Sequence, residues 1–135
     1  MKAFLVVCLA LVFILCINTN QDDILKESIK RGNEIYNDFC MSCHLPSGKG
    51  IVGAFPPLAN SDYLIEKRSE SIRSIKFGLR GEITVNGTKY YGFMTSFGLD
   101  NDEIADVMNY ITNSWGNKND KIIDAEEVSN IKKIN

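Results

Sequence analysis

Five consecutive residues, Cys40-Met41-Ser42-Cys43-His44, constrain this chain more than any other feature. Two cysteines three apart, followed at once by a histidine, form the C-x-x-C-H pattern of covalent haem attachment. The spacing has a chemical reason. Two thiols reach two vinyl groups on one edge of a porphyrin, and the next side chain turns under the ring to offer an imidazole nitrogen to iron. The thioether bonds then hold the group even when an axial bond opens.

Rival uses of the same residues lack partners. A structural zinc site takes four ligands. This chain has a single His and four Cys, of which Cys8 and Cys16 lie in an apolar N-terminal run. A thioredoxin-like dithiol follows a strand that leads into its helix, and residues 23–39 show no such strand. A plain Cys40–Cys43 disulfide stays open as a reading, but it gives His44 no role.

The N-terminus reads as an address. Lys2 supplies a positive charge, and Ala3 to Ile17 is an unbroken apolar run of fifteen residues. A membrane span takes about 20 such residues, whereas fifteen suits the apolar region of an export signal. No small-x-small triplet marks a cleavage point. Three outcomes stay open: cleaved export, an uncleaved anchor, and lipidation at Cys16, where the bulky Leu15 is unfavourable. The chain therefore divides into residues 1–20, a signal peptide or anchor, and residues 21–135, one domain. Its 135 residues allow no more than that. A net charge of -2 gives no basic field for nucleic acid or an anionic membrane surface.

Within the domain the spacing predicts a helix over 23–39, with Ile24, Leu25, Ile29, Ile35, Tyr36 and Phe39 as its apolar positions. Gly32 interrupts it at a cost of about 1 kcal/mol relative to Ala, which suggests that another element comes close. Pro46 to Gly50 is a loop by composition, and Phe55-Pro56-Pro57-Leu58 cannot be helix interior. Short helices are expected after Asn60 or Ser61, and from Ser69 to before Gly78. Ile83-Thr84-Val85, Asn86-Gly87 and Lys89-Tyr90-Tyr91 spell a two-stranded hairpin with no larger sheet. Asp100 with Glu103 opens the last main helix, whose stripe is Ile104, Val107, Met108 and Ile111; Asp124 with Glu127 opens a short terminal one. Asn117 to Lys121 reads as a polar connector. The fold class is all-α, with four or five short helices and one small hairpin.

A low-spin iron needs a sixth ligand, and no second His exists. Thioether sulfur is the natural partner. Met1 is the initiator, Met41 lies between the two thiols, and Met108 sits on an apolar helix stripe as core filler. Met94, in a loop after the hairpin and fifty residues past His44, is left by elimination.

From Lys30 to Lys132 the chain resembles a class I cytochrome c, and more narrowly the small bacterial domains that accompany periplasmic oxidoreductases such as quinoprotein dehydrogenases and copper nitrite reductases. Gly32 and Tyr36 match the first-helix pattern, and Cys40, Cys43 and His44 match the haem box. Phe55 to Ala59 match the loop whose proline carbonyl receives the proximal imidazole, a role that falls to Pro56. Residues 83–94 match the hairpin and distal ligand, and Ile104 to Asn117 match the last helix and its exit. The resemblance implies the cytochrome c fold around one haem c. It also implies that the first and last helices cross at Gly32 with Tyr110 over the glycine. One departure is visible: Thr95 stands where the family usually has proline after the ligand methionine. Proline stiffens that loop, so its absence predicts a more labile Met–iron bond.

The resulting expectation is a non-enzymatic carrier of single electrons with one covalently bound haem c. Its cofactor residues are Cys40, Cys43, His44, Pro56 and Met94, with His44 and Met94 on iron. Val52, Phe55, Leu58, Ile75, Phe93, Phe97 and Leu99 are candidates for its apolar shell. Tyr90 or Tyr91 and Arg80 or Arg73 are candidates for its propionates. The expected partners are periplasmic or membrane redox proteins of the dehydrogenase, nitrite reductase or terminal oxidase type, with no nucleic acid. The expected state is a monomer, in the periplasm or at the outer face of the cytoplasmic membrane, tethered there if residues 1–20 are kept. Two alternatives remain: a fixed electron-transfer subunit of an oxidoreductase complex, and a haem-based ligand sensor if Met94 leaves the iron open.

Overall fold

The structure, a computed structural model, describes residues 2–134, with side chains from Gln21 onward. Cleavage, anchoring and lipidation at Cys16 concern side chains outside that described part. The order is α1 (Lys2–Phe39), α2 (Met41–His44), α3 (Asp62–Glu66), α4 (Arg68–Phe77), β1 (Leu79–Val85), β2 (Thr88–Met94), α5 (Asn101–Ile111) and α6 (Ala125–Asn130). Among the described residues there are six helices rather than four or five. The first is long, because neither Gly nor Pro occurs before Gly32 to break it. Among the described residues, no helix is long and apolar enough to cross a membrane.

α1 and α5 form the frame. Asp100 accepts from the Glu103 backbone N–H while Glu103 accepts from that of Asp100, which satisfies two orphan donors at the start of α5. Ile104, Val107, Met108 and Ile111 are buried as the stripe predicts. Gly32 is where α1 meets this helix: a Cβ there would overlap the Asp106 carbonyl and come within 2.8 Å of Tyr110 Cβ. The inward face of α1 differs from the apolar reading. Ile24 is exposed, while Ser28, Gly32 and Tyr36 point inward. Ser28 Oγ donates to Asp106 (2.7 Å), and Arg31 donates to both oxygens of the same carboxylate (2.6 and 2.8 Å). The crossing is thus clamped by a buried carboxylate with three charge-assisted or neutral hydrogen bonds.

The hairpin turns at Asn86 and Gly87, both with positive φ (50° and 74°), as a two-residue type I′ turn requires. Its strands run longer than expected, from Leu79 paired with Met94 to Val85 paired with Thr88. Met94 therefore ends a strand instead of lying in a free loop. Asn86 and Asp62 exchange backbone-to-side-chain hydrogen bonds, which docks the turn on α3. The second predicted box forms only by half. Asp124 caps the Glu127 N–H (2.8 Å), but the Glu127 carboxylate is taken by Arg68. The core joins Tyr36, Leu64, Ile72 and the α5 stripe to Ile123 and Val128 from the C-terminal segment.

Candidate functional site

α2 is the C-x-x-C-H motif itself folded into one helical turn, with the His44 N–H on the Cys40 carbonyl at 2.9 Å. A helical turn places Cys40, Cys43 and His44 on adjoining faces. All three line one void of about 840 Å³ including its solvent-open mouth. The loop after His44 is pinned from several sides. Tyr36 Oη donates to the Leu45 carbonyl (2.6 Å), and the Gly50 N–H donates to His44 O (3.0 Å). Trp115 Nε1 donates to Pro46 O (3.1 Å). The rings of Tyr36, Tyr110 and Trp115 stand 5.1–5.5 Å apart and brace this corner.

His44 is buried, and its Nδ1 lies 3.0 Å from the Pro56 carbonyl oxygen. A carbonyl only accepts, so Nδ1 carries the proton and Nε2 keeps its lone pair for a ligand. Burial pushes the imidazole pKa below its ordinary value, against the opposing pull of the Pro56 bond. The ring is therefore held neutral, the form that binds metals. Burial, then the neighbouring Cys43, pushes the Cys40 thiol up to about 11. The activated thiol of a redox dithiol shows the reverse shift. Among the described residues no three His, Cys, Asp or Glu side chains gather to hold a metal ion.

Met94 lines the same void, together with Leu79, Ile83, Tyr90, Phe39, Phe55, Phe93 and Phe97. The void continues inward past Leu58, Ile75, Met108 and Ile111. One wall is bare backbone: Gly81 and Gly92 pair across the hairpin, and a Cβ on either would meet no protein atom within 4 Å. Ser71 Oγ, buried on the inner part of the void, has no hydrogen-bond partner among the described residues. The donor set is one imidazole, one thioether and two thiols around an apolar slot with a flat glycine wall. It fits a planar, iron-bearing ring.

Two expected shell residues lie elsewhere. Val52 is 86% exposed on the loop bridged by Ile51 and Phe55, and Leu99 packs on the core rather than the void. Arg73 turns away to the Lys132 carbonyl, and Arg80 stacks over Phe93 at 4.9 Å. Of the two tyrosines, Tyr90 faces the void and Tyr91 faces solvent, as strand alternation demands. The sequence reading missed Leu79 and Ile83. Their signal was the alternation Leu79, Gly81, Ile83, Val85, masked by the glycine.

Comparison with known proteins places the chain in a family. The cytochrome c family model matches residues 29–115. Cytochrome c-552 of Thermus thermophilus is 42% identical over 110 residues, covering 75% of this chain and 83% of that protein. The cytochrome c subunit of the quinone alcohol dehydrogenase of Gluconobacter oxydans is 26% identical over 75% of this chain, which spans only 22% of that subunit. The matching subunit of Gluconacetobacter polyoxogenes is 28% identical, again over 22% of its length. With the family model covering well over half of its residues, the chain belongs to the cytochrome c family of electron-transfer proteins and carries covalently bound haem c with iron.

Proposed function

We propose that this cytochrome carries single electrons between extracytoplasmic redox partners, through one haem held by Cys40 and Cys43 and ligated by His44 and Met94. The observation that carries the reading is the convergence of the His44 ring and the Met94 side chain on one apolar void, with Pro56 fixing the proximal tautomer. Haem iron supplies one-electron chemistry between its ferric and ferrous states. The chain's residues do the rest. The two thiols anchor the group. Pro56 orients the His44 ring and raises its basicity. A thioether from Met94 together with the His44 imidazole would raise the reduction potential of the bound group. Leu79, Ile83, Phe55 and Phe97 exclude water and so lower the local dielectric.

The match to most of the length of cytochrome c-552 supports a self-standing carrier. The likeness to dehydrogenase cytochrome subunits supports a second reading, a fixed subunit that serves an oxidoreductase. The apolar segment before Asn18 supports export, to the periplasm or the outer face of the cytoplasmic membrane. The test is expression with haem-maturation machinery, followed by mass and absorption measurements on wild type and Met94→Ala. One haem per chain and a long-wavelength Met–Fe(III) band lost in Met94→Ala are expected. A wild type that lacks the band and binds carbon monoxide at once when reduced would favour an open-iron sensor instead. Copurification of an oxidoreductase with the tagged chain would favour the fixed subunit.

A further inference from the structure

Thr95, not proline, follows Met94, yet this segment is tethered by other means. Met94 closes the hairpin as the last rung, opposite Leu79. The chain then passes over the end of α4 so closely that a Cβ on Gly78, itself at φ 83°, would come within 2.8 Å of the Met94 carbonyl and 3.3 Å of the Ser96 N–H. Two residues past Met94, Ser96 Oγ donates to the Lys76 carbonyl at 2.9 Å. That carbonyl belongs to the last turn of α4, where no intrahelical donor reaches it. Lys76 is held in turn, since its Nζ donates to the Val128 carbonyl at 2.7 Å on the C-terminal segment.

We infer that Ser96 is a positioning residue for the axial methionine. Its hydroxyl fastens residues 94–96 to α4 and keeps the Met94 sulfur from leaving the iron. The inference rests on Met94 ligation as proposed above. Ser96 never touches the ligated atoms and acts only through two backbone links. Its side chain is exposed, so Ser96→Ala folds without a core defect.

The experiment is a titration of the ferric holoprotein with imidazole, which competes for the iron against Met94, alongside the Met–Fe(III) band and urea unfolding. Ser96→Ala is expected to bind imidazole about fivefold more tightly, the equivalent of one lost neutral hydrogen bond. Its band weakens in step, and Ser96→Thr, which keeps the hydroxyl, restores both. Imidazole affinity in Ser96→Ala equal to that of wild type overturns the inference. So does a loss of urea stability with unchanged imidazole affinity, which would make Ser96 a helix cap and nothing more. Met94→Ala separates this from the parent reading: if it keeps the wild-type band and imidazole affinity, Met94 is not the ligand and both fall.

Discussion

At the scale of single residues, the turn that follows His44 is held by a side chain outside the C-x-x-C-H motif. Tyr36 is fully buried, its ring is braced by two aromatics, and its hydroxyl reaches Leu45, the residue after His44, which sits at φ 65°. Burial pushes its pKa up, so the hydroxyl stays a donor across the accessible pH range. Tyr36→Phe keeps the ring and drops the bond. It is expected to cost about 1 kcal/mol in urea unfolding, with haem attachment retained. Glu127 makes a pH argument possible. The bidentate Arg68 hydrogen bond is the largest influence and holds its carboxyl below the ordinary 4.5. A depressed folded pKa means stability that is present in full above about 4.5 and is lost as pH falls through the folded value. Glu127→Gln should therefore be less stable than wild type at pH 7. Unfolding series at pH 7, 5 and 3 should show that gap closing toward pH 3; a gap that stays constant would remove the ion pair as its cause.

At the scale of elements, the α1–α5 crossing decides the fold, and Gly32 decides the crossing. Alanine is the better helix former by about 1 kcal/mol, so local propensity alone favours Gly32→Ala. Overlap with the Asp106 carbonyl acts the other way. Forced overpacking typically costs about 1–3 kcal/mol, and here the obstacle is backbone, which cannot rotate aside. A net loss of up to about 2 kcal/mol is expected, read as a fall in urea midpoint with an unchanged slope; a gain in stability would show that the helices can part. This crossing also shows what the sequence could reveal. Asp100 with Glu103, Asn86-Gly87 and the α5 stripe were legible because each signal is complete within a few residues. Cys40, Cys43 and His44 were legible as a candidate site for the same reason. Ser28, Asp106, Asn109 and Asn117 were not. They are buried polar residues whose partners lie far along the chain, such as Ser28 and Asp106 at a separation of 78. Polarity read locally assigns them to solvent. The Gly81–Gly92 wall was hidden likewise, since it exists only once the strand register is known.

At the scale of the whole molecule, residues 116–134 lie beyond the span matched by the family model, 29–115, yet they complete the core. Ile123 and Val128 are buried to 1% and 0% exposure among residues from α1, α4 and α5. Polar contacts repeat the message. Asn109 Nδ2 donates to the Ile123 carbonyl and its Oδ1 accepts the Ile123 N–H, both at 2.8 Å, so one buried amide reads the backbone of a single residue from both sides. Asn117 ties the same region to the Pro56–Leu58 loop, with Nδ2 on the Leu58 carbonyl and Oδ1 receiving the Asn60 N–H. A tail that only covered the surface would not supply fully buried side chains and would not share hydrogen bonds with the frame. Ile123→Ala should therefore behave as a core truncation, costing about 2–5 kcal/mol in urea unfolding. Because Ile123 does not line the void, the Met–Fe(III) band and imidazole affinity of the folded variant should match wild type. A loss under about 1 kcal/mol would mean that the segment is docked without being part of the core, whatever its burial. A changed band at full folding would mean that the C-terminal segment reaches the iron through Lys76 and Ser96, and that the core and the distal ligand act as one unit.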